Sequence, residues 1–395
     1  MPVSSARSRA KTLVATDQGA ENAPLGNLAT RAFLRRYWHK EALLVRQAIA
    51  GFAGLHNAPE LFAMAGRDDV ESRLVVREGR GWSLTHGPFR RADFKVLPAA
   101  NWTLLVQGVN RLDRASDALL RRFAFLPFAR LDDLMVSYAA PGGGVGPHMD
   151  SYDVFLLQGL GRRRWRFGRQ EDHAMKPRLP LKILARFAPT HAEVLAGGDM
   201  LYLPPHCAHD GIAVDVCTTY SIGFRAASAT ELAGAFLDFL RDEIELPGRY
   251  ADPNLQPTDA PAAIDEAMRR RCAHMLTGIR WDGATVGRFL GCWLSEPKPT
   301  VFFEPPAPPL SRPTFSRRSS KHGIELDIRT QLLYDDNHLY INGTALRWPA
   351  RGGEVLKRLA NGRALGPRGM TSVERDAGAI LYTWYCDGYL HPGAA

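Results

Sequence analysis

A chain of 395 residues is longer than a typical single domain, and its length predicts two or three domains. Apolar residues make up 45% of it, enough for sizeable cores, yet no apolar run approaches the roughly 18 residues of a membrane-spanning helix. A cytoplasmic protein without membrane attachment is therefore expected. The formal net charge of +9 favours contact with an acidic partner, for which nucleic acid or a nucleoprotein particle is the obvious class.

The N-terminal half of the chain alternates between short helical and short strand patterns. Residues 1–27 lack a stable apolar period and are interpreted as a flexible or loosely docked tail. The region 28–226 follows, with predicted elements at 33–38, 42–46, 61–65, 72–76, 81–85, 101–108 and 132–138, and further strands up to its end. Many short strands separated by turn residues predict an antiparallel barrel or sandwich. The expected fold class is α+β with a mainly β core.

The most informative segment is 142–150, Gly-Gly-Gly-Val-Gly-Pro-His-Met-Asp. If it is a strand, His148 and Asp150 point to the same face and can reach one metal ion. His209, in the loop after the turn and apolar strand at 198–203, is the candidate for a third ligand, and His206 is its rival. Two histidines and one carboxylate leave three octahedral positions open, as in non-haem Fe(II) oxygenases. Because a His-x-Asp pair alone is common by chance, this interpretation depends on the surrounding sequence.

A second informative segment is 161–167, Gly-Arg-Arg-Arg-Trp-Arg-Phe. Strand alternation places Arg163 on the same face as two aromatic residues, which predicts that its side chain points inward. A buried guanidinium without a counter-ion costs several kcal/mol, so Arg163 needs either a protein carboxylate or a bound dicarboxylate such as 2-oxoglutarate. The arginines of the other face, Arg162, Arg164 and Arg166, are a solvated surface or a contact for a nucleoprotein substrate.

The character of the chain changes after residue 226. Helical spacing of apolar residues in 227–296 predicts amphipathic helices, which serve as a dimerisation surface or simply cap the barrel. A proline-dense linker is predicted at 297–315, and 316–395 is interpreted as a small winged-helix-like domain. Because the charge of this last domain is not strongly basic, DNA binding is the less favoured interpretation of its role.

Several of these segments together resemble the bacterial ribosomal oxygenases, which are JmjC (cupin-type) proteins related to the human nucleolar histidine hydroxylases. The resemblance covers most of residues 28–250. Its strongest parts are at 132–138, 141–150, 152–159 and 161–167, and further matches lie at 33–38, 86–89, 101–110, 198–205, 209–211 and 220–225. Over the C-terminal third the likeness rests on the order of a helical dimerisation region, a linker and a winged-helix-like end.

The resemblance implies a double-stranded β-helix that holds Fe(II) through His148, Asp150 and His209. The family has its second histidine immediately before Asp-Gly, which favours His209 over His206. Arg163 would bind the far carboxylate of the cosubstrate 2-oxoglutarate. With O2, such an enzyme hydroxylates the β-carbon of an arginyl residue in large-subunit ribosomal protein sixteen, and a homodimer is implied. The chain departs from the family pattern at 206–208, His-Cys-Ala, and at 139–140, Ala-Ala.

A substrate arginine requires a carboxylate near the mouth of the pocket. Alternation places Asp133, Met135 and Ser137 on one face of the strand 132–138. Asp133 is the hypothetical partner of that arginine, with Met135 beside it, and the alternative is that Asp133 is an ordinary surface aspartate.

Two functions of other classes remain open from the sequence. A cupin metalloenzyme could act on another protein or small molecule without a 2-oxo acid. A nucleic-acid-binding regulator could use the barrel only as a sensor, as the net charge of +9 permits, and ribosomal RNA could then lie close to the basic surface. A histone demethylase is less favoured, because the best-matching motifs are those of hydroxylases.

Overall fold

The structure is a computed structural model that describes residues 12–14, as backbone only, and residues 23–79, 81–371 and 373–393. It divides into two compact units. The first consists of the chain up to Ala226 with the segments Lys298–Glu304 and Asp327–Arg329, and the second of the remainder. Most of the predicted tail at 1–27 lies outside the described residues. Within it, Thr12–Val14 forms a strand, and Leu25 is buried in the core.

The first unit is built mainly of strands. Its helices are α1 Thr30–Arg36, α2 Ala58–Ala65, α3 Arg91–Lys95 and α4 Arg114–Arg121. Its strands are β1 Thr12–Val14, β2 Leu43–Arg46, β3 Ser72–Glu78, β4 Gly81–His86, β5 Trp102–Val106, β6 Leu131–Ala139, β7 Val154–Gln158, β8 Arg163–Arg169, β9 His191–Leu195, β10 Met200–Leu203, β11 Cys207–Ala213 and β12 Cys217–Phe224. No helix in the described part of the chain is both long and apolar enough to cross a membrane.

In the described residues, these strands form a nine-stranded sheet in the order β1-β2-β10-β7-β12-β6-β5-β3-β4 and a three-stranded sheet in the order β11-β8-β9. All neighbours are antiparallel except β1 and β2. Side chains from both sheets pack into one buried cluster, in which Leu156 and Leu201 of the large sheet meet Trp165 and Phe167 of the small one. The two sheets therefore face each other across an apolar interior.

The other face of the large sheet carries a second, larger core. Phe33 of α1 is fully buried there, with ring centroids 5.0 Å from Tyr202 and 5.5 Å from Phe155. The edge-on contact of Phe33 with Tyr202 is a favourable geometry for aromatic rings. This aromatic layer packs α1 against β7 and β10, on the face of the large sheet that points away from the small sheet.

The second unit begins with three helices and continues with small sheets and further helices. Its helices are α5 Ala229–Glu243, α6 Glu266–Leu276, α7 Gly283–Ser295, α8 Arg312–His322, α9 Gly353–Gly362, α10 Pro367–Met370 and α11 Arg375–Cys386. Its strands are β13 Ile324–Leu326, β14 Leu332–Tyr334, β15 His338–Ile341, β16 Thr344–Arg347, β17 Ala364–Leu365 and β18 Leu390–Pro392. The turn at Asn342 and Gly343 joins β15 to β16, and both residues have positive φ.

Helix α8 has no counterpart in the sequence prediction, because its N-terminus lies in a proline-dense stretch. Pro313 occupies the first turn of the helix, preceded by Ser311 at the N-cap. A proline in the first turn removes no intrahelical hydrogen bond, because the first N–H groups of a helix have no partner there. Phe315 and Ser319 provide the buried side of the helix.

Candidate active site

The glycine-rich segment before His148 is not a regular strand, so the predicted strand geometry is wrong there. Residue 148 forms only an isolated bridge to His209, and the segment from 140 to 147 is a turn and loop. A Cβ on Gly143 would lie 2.1 Å from the carbonyl oxygen of Trp102, and one on Gly144 would lie 2.6 Å from that of Gly211. Only glycine can pass between these two backbones, because any side chain would collide with them.

The isolated bridge sets the position of both histidines. His148 donates its backbone N–H to the His209 carbonyl, and His209 donates in return to the His148 carbonyl, each at 2.9 Å. His209 lies on β11, opposite Phe167 of β8, so it belongs to the inner face of the small sheet. It was predicted to lie in a loop; it is instead part of a strand and is buried.

His148, Asp150 and His209 come together. Each offers a ligand atom, and these atoms lie within 4.8 Å of one another. The two imidazole centroids are 4.2 Å apart, and Nε2 of His209 is 3.6 Å from Oδ2 of Asp150. No other group of three or more such residues with this spacing occurs among the described residues.

The hydrogen bonds of both imidazoles orient them as ligands. Nδ1 of His148 lies 2.9 Å from the carbonyl oxygen of Gly146, and Nδ1 of His209 lies 2.9 Å from that of Cys207. Because a carbonyl oxygen only accepts, each Nδ1 carries the proton, and each Nε2 keeps its lone pair for a metal. Burial, reinforced by the neighbouring His148, lowers the pKa of His209 to about 4, so this imidazole is neutral near pH 7.

His206, the rival ligand, is exposed and lies outside the cluster. Its ring stacks on that of His173, with centroids 6.2 Å apart and planes 8° from parallel. Its backbone N–H donates to the Asp150 carbonyl at 2.8 Å, and its φ is +60°. The turn at His206 therefore positions Asp150 through the backbone and directs its own side chain away from the three candidate ligands.

Arg163 is buried on the inner face of β8, as the alternation predicted. Its side chain is only 5% exposed, and its Nε and Nη2 atoms are buried without a hydrogen-bond partner. No carboxylate forms an ion pair with it in the described part of the chain. Its guanidinium lies 5.8 Å from the ring of Trp165, which is a weak compensation for the lost hydration. A buried cation in this condition costs several kcal/mol unless a ligand anion neutralises it.

The arginines that neighbour Arg163 in the sequence differ from it in their partners. Arg162 pairs with Asp215 at 2.8 Å, and Arg166 pairs with Asp210 at 2.5 Å. Arg164 between them is exposed. Their charges are therefore balanced by protein carboxylates or by water, whereas that of Arg163 is not.

Two further polar groups of the interior were missed by the sequence interpretation. The hydroxyl of Thr103 on β5 and the indole N–H of Trp165 are buried without a hydrogen-bond partner. Thr103 lies opposite Ala139 of β6, and Ala139 packs against Ala213, which is itself opposite Arg163. Only the pairing of β5 with β6 reveals Thr103, because a lone threonine in an apolar strand carries no functional signal.

Asp133 and Met135, the predicted substrate contacts, lie on β6. Asp133 is buried rather than a surface residue, and the amide of Gln107 donates to both of its oxygens at 3.0 and 2.8 Å. Burial raises the pKa of the Asp133 carboxyl, and the adjacent Asp132 adds to this effect. Met135 is half-buried, with its sulfur 3.9 Å from Nη2 of Arg73.

Comparison with known proteins agrees with this geometry. The JmjC domain model matches residues 118–232, and the ROXA-like winged helix model matches residues 278–391. The chain is 36% identical over 341 residues to the ribosomal protein uL16 3-hydroxylase of Escherichia coli, covering 84% of this chain and 89% of that protein. It is 31% identical to human ribosomal oxygenase 1 over 205 residues, or 46% of this chain and 30% of the human protein.

A solved structure extends the similarity to the fold. The ribosomal oxygenase YcfD from Escherichia coli, in complex with cobalt and 2-oxoglutarate, has a TM-score of 0.77 and 31% sequence identity. The match covers 92% of this chain and 98% of that one. The predicted fold, a JmjC-type double-stranded β-helix with a C-terminal winged-helix domain, is thereby confirmed.

The three clustered ligands predict metal-dependent stabilisation. Mn(II) at one hundred times its Kd should stabilise the protein by about 2.7 kcal/mol, because the ion binds only the folded state. Thermal unfolding measures this as a rise in Tm. The rise should be lost in His209→Ala and kept in the matched control His206→Ala. The assignment of His209 is wrong if His209→Ala keeps the rise in Tm and His206→Ala loses it.

Proposed function

This chain belongs to the ribosomal oxygenases, which combine a JmjC domain with a ROXA-like winged helix, and on that premise we propose its reaction. It is an Fe(II)- and 2-oxoglutarate-dependent oxygenase that hydroxylates the β-carbon of an arginyl residue in a large-subunit ribosomal protein. The observation that carries the proposal is the buried, unpaired guanidinium of Arg163 in the interior that also holds the three candidate metal ligands. A ribosomal-protein substrate implies action in the cytoplasm.

The donor set fits the metal. Two neutral imidazoles and one carboxylate are the ligands of non-haem Fe(II) oxygenases, and they leave coordination positions for cosubstrate and O2. His148, Asp150 and His209 would hold the ion. When bound, Fe(II) supplies the activation of O2, and 2-oxoglutarate is oxidised to succinate and CO2 while the substrate gains one oxygen atom.

The remaining residues bind, orient and exclude water. Arg163 would pair with the far carboxylate of 2-oxoglutarate, since a guanidinium offers two parallel donors to a carboxylate. That pairing would also end the cost of burying its charge, which favours a 2-oxo acid cosubstrate over a cupin reaction without one. Trp165, Phe167 and Leu156 close the interior with apolar side chains and keep it dry.

Asp133 and Met135 would receive the substrate arginine. Asp133 offers a carboxylate for the guanidinium, and Met135 offers an apolar contact for its methylene chain. The ring of Tyr152 lies near Asp133, since both approach the position that a Cβ of Gly223 would occupy, at 4.0 and 3.9 Å. Burial raises the pKa of Tyr152, and the charges of Asp150 and Asp133 add to this effect.

Proximity to ribosomal RNA is supported by the surface of the first unit. Arg164 and the loop residues Lys176, Arg178 and Lys182 are exposed, and the acidic residues between positions 169 and 190 are Glu171 and Asp172 alone. Such a surface attracts a polyanion, with an affinity that falls as salt is added. Binding of purified ribosomal RNA that does not weaken between low and physiological salt would contradict this role.

The hydroxylation itself is tested by mass spectrometry. Large-subunit ribosomal proteins from cells lacking the enzyme are incubated with the full chain, Fe(II) and 2-oxoglutarate. One arginine-containing peptide should gain about 16 Da, the mass of one oxygen atom. Omission of 2-oxoglutarate and the variant His148→Ala should each abolish the gain, whereas His206→Ala should retain it. Full modification by His148→Ala would remove the proposed metal site.

Arg163 should control the cosubstrate without controlling the metal. In Arg163→Met, the Kd of 2-oxoglutarate measured calorimetrically in the presence of Mn(II) should rise roughly thirtyfold or more, because a buried charge pair is broken. The ligand-free variant should unfold at a higher temperature than the wild type, since an uncompensated charge has left the interior. Arg164→Met, one residue away on the exposed face, is the control and should change neither quantity. Unchanged 2-oxoglutarate affinity in Arg163→Met would refute this role.

A homodimer through α5–α7 is supported by the exposed apolar residues of these helices. Helix α6 has no buried residue, although it carries Met268, Met275 and Leu276. Leu237 of α5 is 64% exposed, and Leu276 is 60% exposed. A contiguous apolar surface marks a protein interface more often than scattered apolar residues do, and these helices follow one another in the sequence.

Light scattering after size exclusion should give twice the chain mass of 43.7 kDa for the wild type. Leu237→Asp combined with Leu276→Asp should give the mass of one chain, because charges in an apolar interface are costly to bury. Val96→Asp is the matched control, as Val96 on the first unit is 83% exposed. A double variant that retains the wild-type mass would contradict dimerisation through these helices.

A further inference from the structure

A lysine from a distant part of the chain lies against the carboxylates at the start of β6. Nζ of Lys298 is 3.3 Å from Oδ1 of Asp132 and 3.7 Å from Oδ2 of Asp133. Lys298 follows the second unit's helix α7 in sequence, but it belongs to the first compact unit, as Asp132 and Asp133 do. The sequence prediction assigned this segment only to a proline-rich linker.

The partners of Asp133 differ in how far they are exposed to solvent. The amide of Gln107 contacts both carboxylate oxygens, and Nη2 of Arg111 lies 3.9 Å from Oδ2. The side chain of Asp133 is 4% exposed and that of Arg111 is 15% exposed, whereas that of Lys298 is 38% exposed. Lys298 is therefore the partner that faces solvent, and the ammonium can leave without opening the buried part of the network.

The backbone around Lys298 limits its freedom. Pro297 and Pro299 flank Lys298. Their rings fix their own φ angles, and Pro299 restricts the backbone of Lys298 before it. The Lys298 carbonyl also accepts a hydrogen bond from Val301 N–H at 2.9 Å. An ammonium held in this way on the same chain has a high effective concentration at Asp133. A free lysine or arginine must compete against it.

We propose that Lys298 competes with the substrate for Asp133: its ammonium occupies the position of the substrate guanidinium until the substrate displaces it. The inference rests on the proposed function, in which Asp133 receives the substrate arginine. It adds that the carboxylate is not free in the resting enzyme but is already neutralised by a cation of the protein.

The chemistry of the two cations explains the direction of exchange. An arginine brings two parallel donors to the carboxylate and is less strongly hydrated than an ammonium, so it gains more from the exchange than a lysine would. A substrate lysine would replace one ammonium by another and lose the advantage of being on the same chain. A neutral side chain would not displace Lys298 at all, because it offers Asp133 no charge.

The test compares three peptides of one sequence, taken from the large-subunit ribosomal protein around the hydroxylated arginine. The first keeps this arginine, the second has lysine there and the third has glutamine. Binding is measured by fluorescence anisotropy with Mn(II) and 2-oxoglutarate in the absence of O2, and turnover is measured separately. Lys298→Met should tighten the arginine and lysine peptides roughly three- to fivefold, the range of a partly exposed ion pair, and leave the glutamine peptide unchanged.

Kinetics and further variants exclude a merely structural role. For the arginine peptide, Lys298→Met should lower KM by the same factor and leave kcat unchanged. Lys298→Arg should raise KM, because a guanidinium holds Asp133 more firmly than an ammonium does. In an Asp133→Asn background the effect of Lys298→Met should vanish, which is the signature of a direct coupling between the two residues. Lys95→Met, an exposed lysine of α3, is the matched control and should leave all three affinities unchanged.

Three results would overturn the inference: weaker binding of the arginine peptide by Lys298→Met, unchanged binding of that peptide, or an equal shift for the glutamine peptide. Its failure is distinguishable from failure of the proposed function. If the wild type binds the arginine peptide with the expected response to Lys298→Met but never hydroxylates it, the proposed reaction fails and the role of Lys298 stands. If hydroxylation occurs and Lys298→Met changes nothing, only the role of Lys298 fails.

Discussion

The site depends on one pair of backbone hydrogen bonds, through which residues 148 and 209 hold each other at 2.9 Å in both directions. This pair joins a glycine-rich loop to the small sheet, and it brings together ligands that are 61 positions apart in the sequence. Three backbone acceptors, the carbonyls of Gly146, Cys207 and Asp150, then fix the two imidazoles and the turn beside the carboxylate. Both imidazoles are thus oriented by hydrogen bonds to main-chain carbonyls, whose positions are set by the fold.

The distribution of paired and unpaired charges separates structural ionic groups from those that await a ligand. Arg162 and Arg166 have carboxylate partners at 2.8 and 2.5 Å. Arg163 is more buried than either outer arginine and has no acidic partner in the described residues. An unpaired buried charge is costly, and this cost is the basis on which we propose that Arg163 binds an anionic ligand.

The same reasoning applies to apolar groups. The first unit buries its large side chains in two layers on either side of the main sheet. Helix α6, by contrast, leaves every residue at least partly accessible to solvent. An amphipathic helix obtains most of its stability from packing, and the exposure of α6 is the basis on which we propose that it packs against a second copy of the chain.

The sequence alone determined those features that depend on neighbours along one strand or on a recognisable motif. Alternation along 163–167 correctly separated the buried Arg163 from the exposed Arg164, because the side-chain period of a strand is fixed at two residues. The His-x-Asp pair was likewise readable from local spacing, and the motif segments at 132–138, 141–150, 152–159 and 161–167 carried the resemblance to the ribosomal oxygenases.

Only the tertiary structure decided which distant residues meet. Sequence spacing left His206 and His209 as rivals, and the register of β11 against β8 placed one inside and the other in solvent. The spacing of residues in the sequence also gave no sign that Lys298 would contact Asp133, or that Thr103 would lie beside Ala139. These contacts depend on how strands pair and how a linker folds back, and such long-range choices are made by the packing of the whole unit rather than by any local pattern.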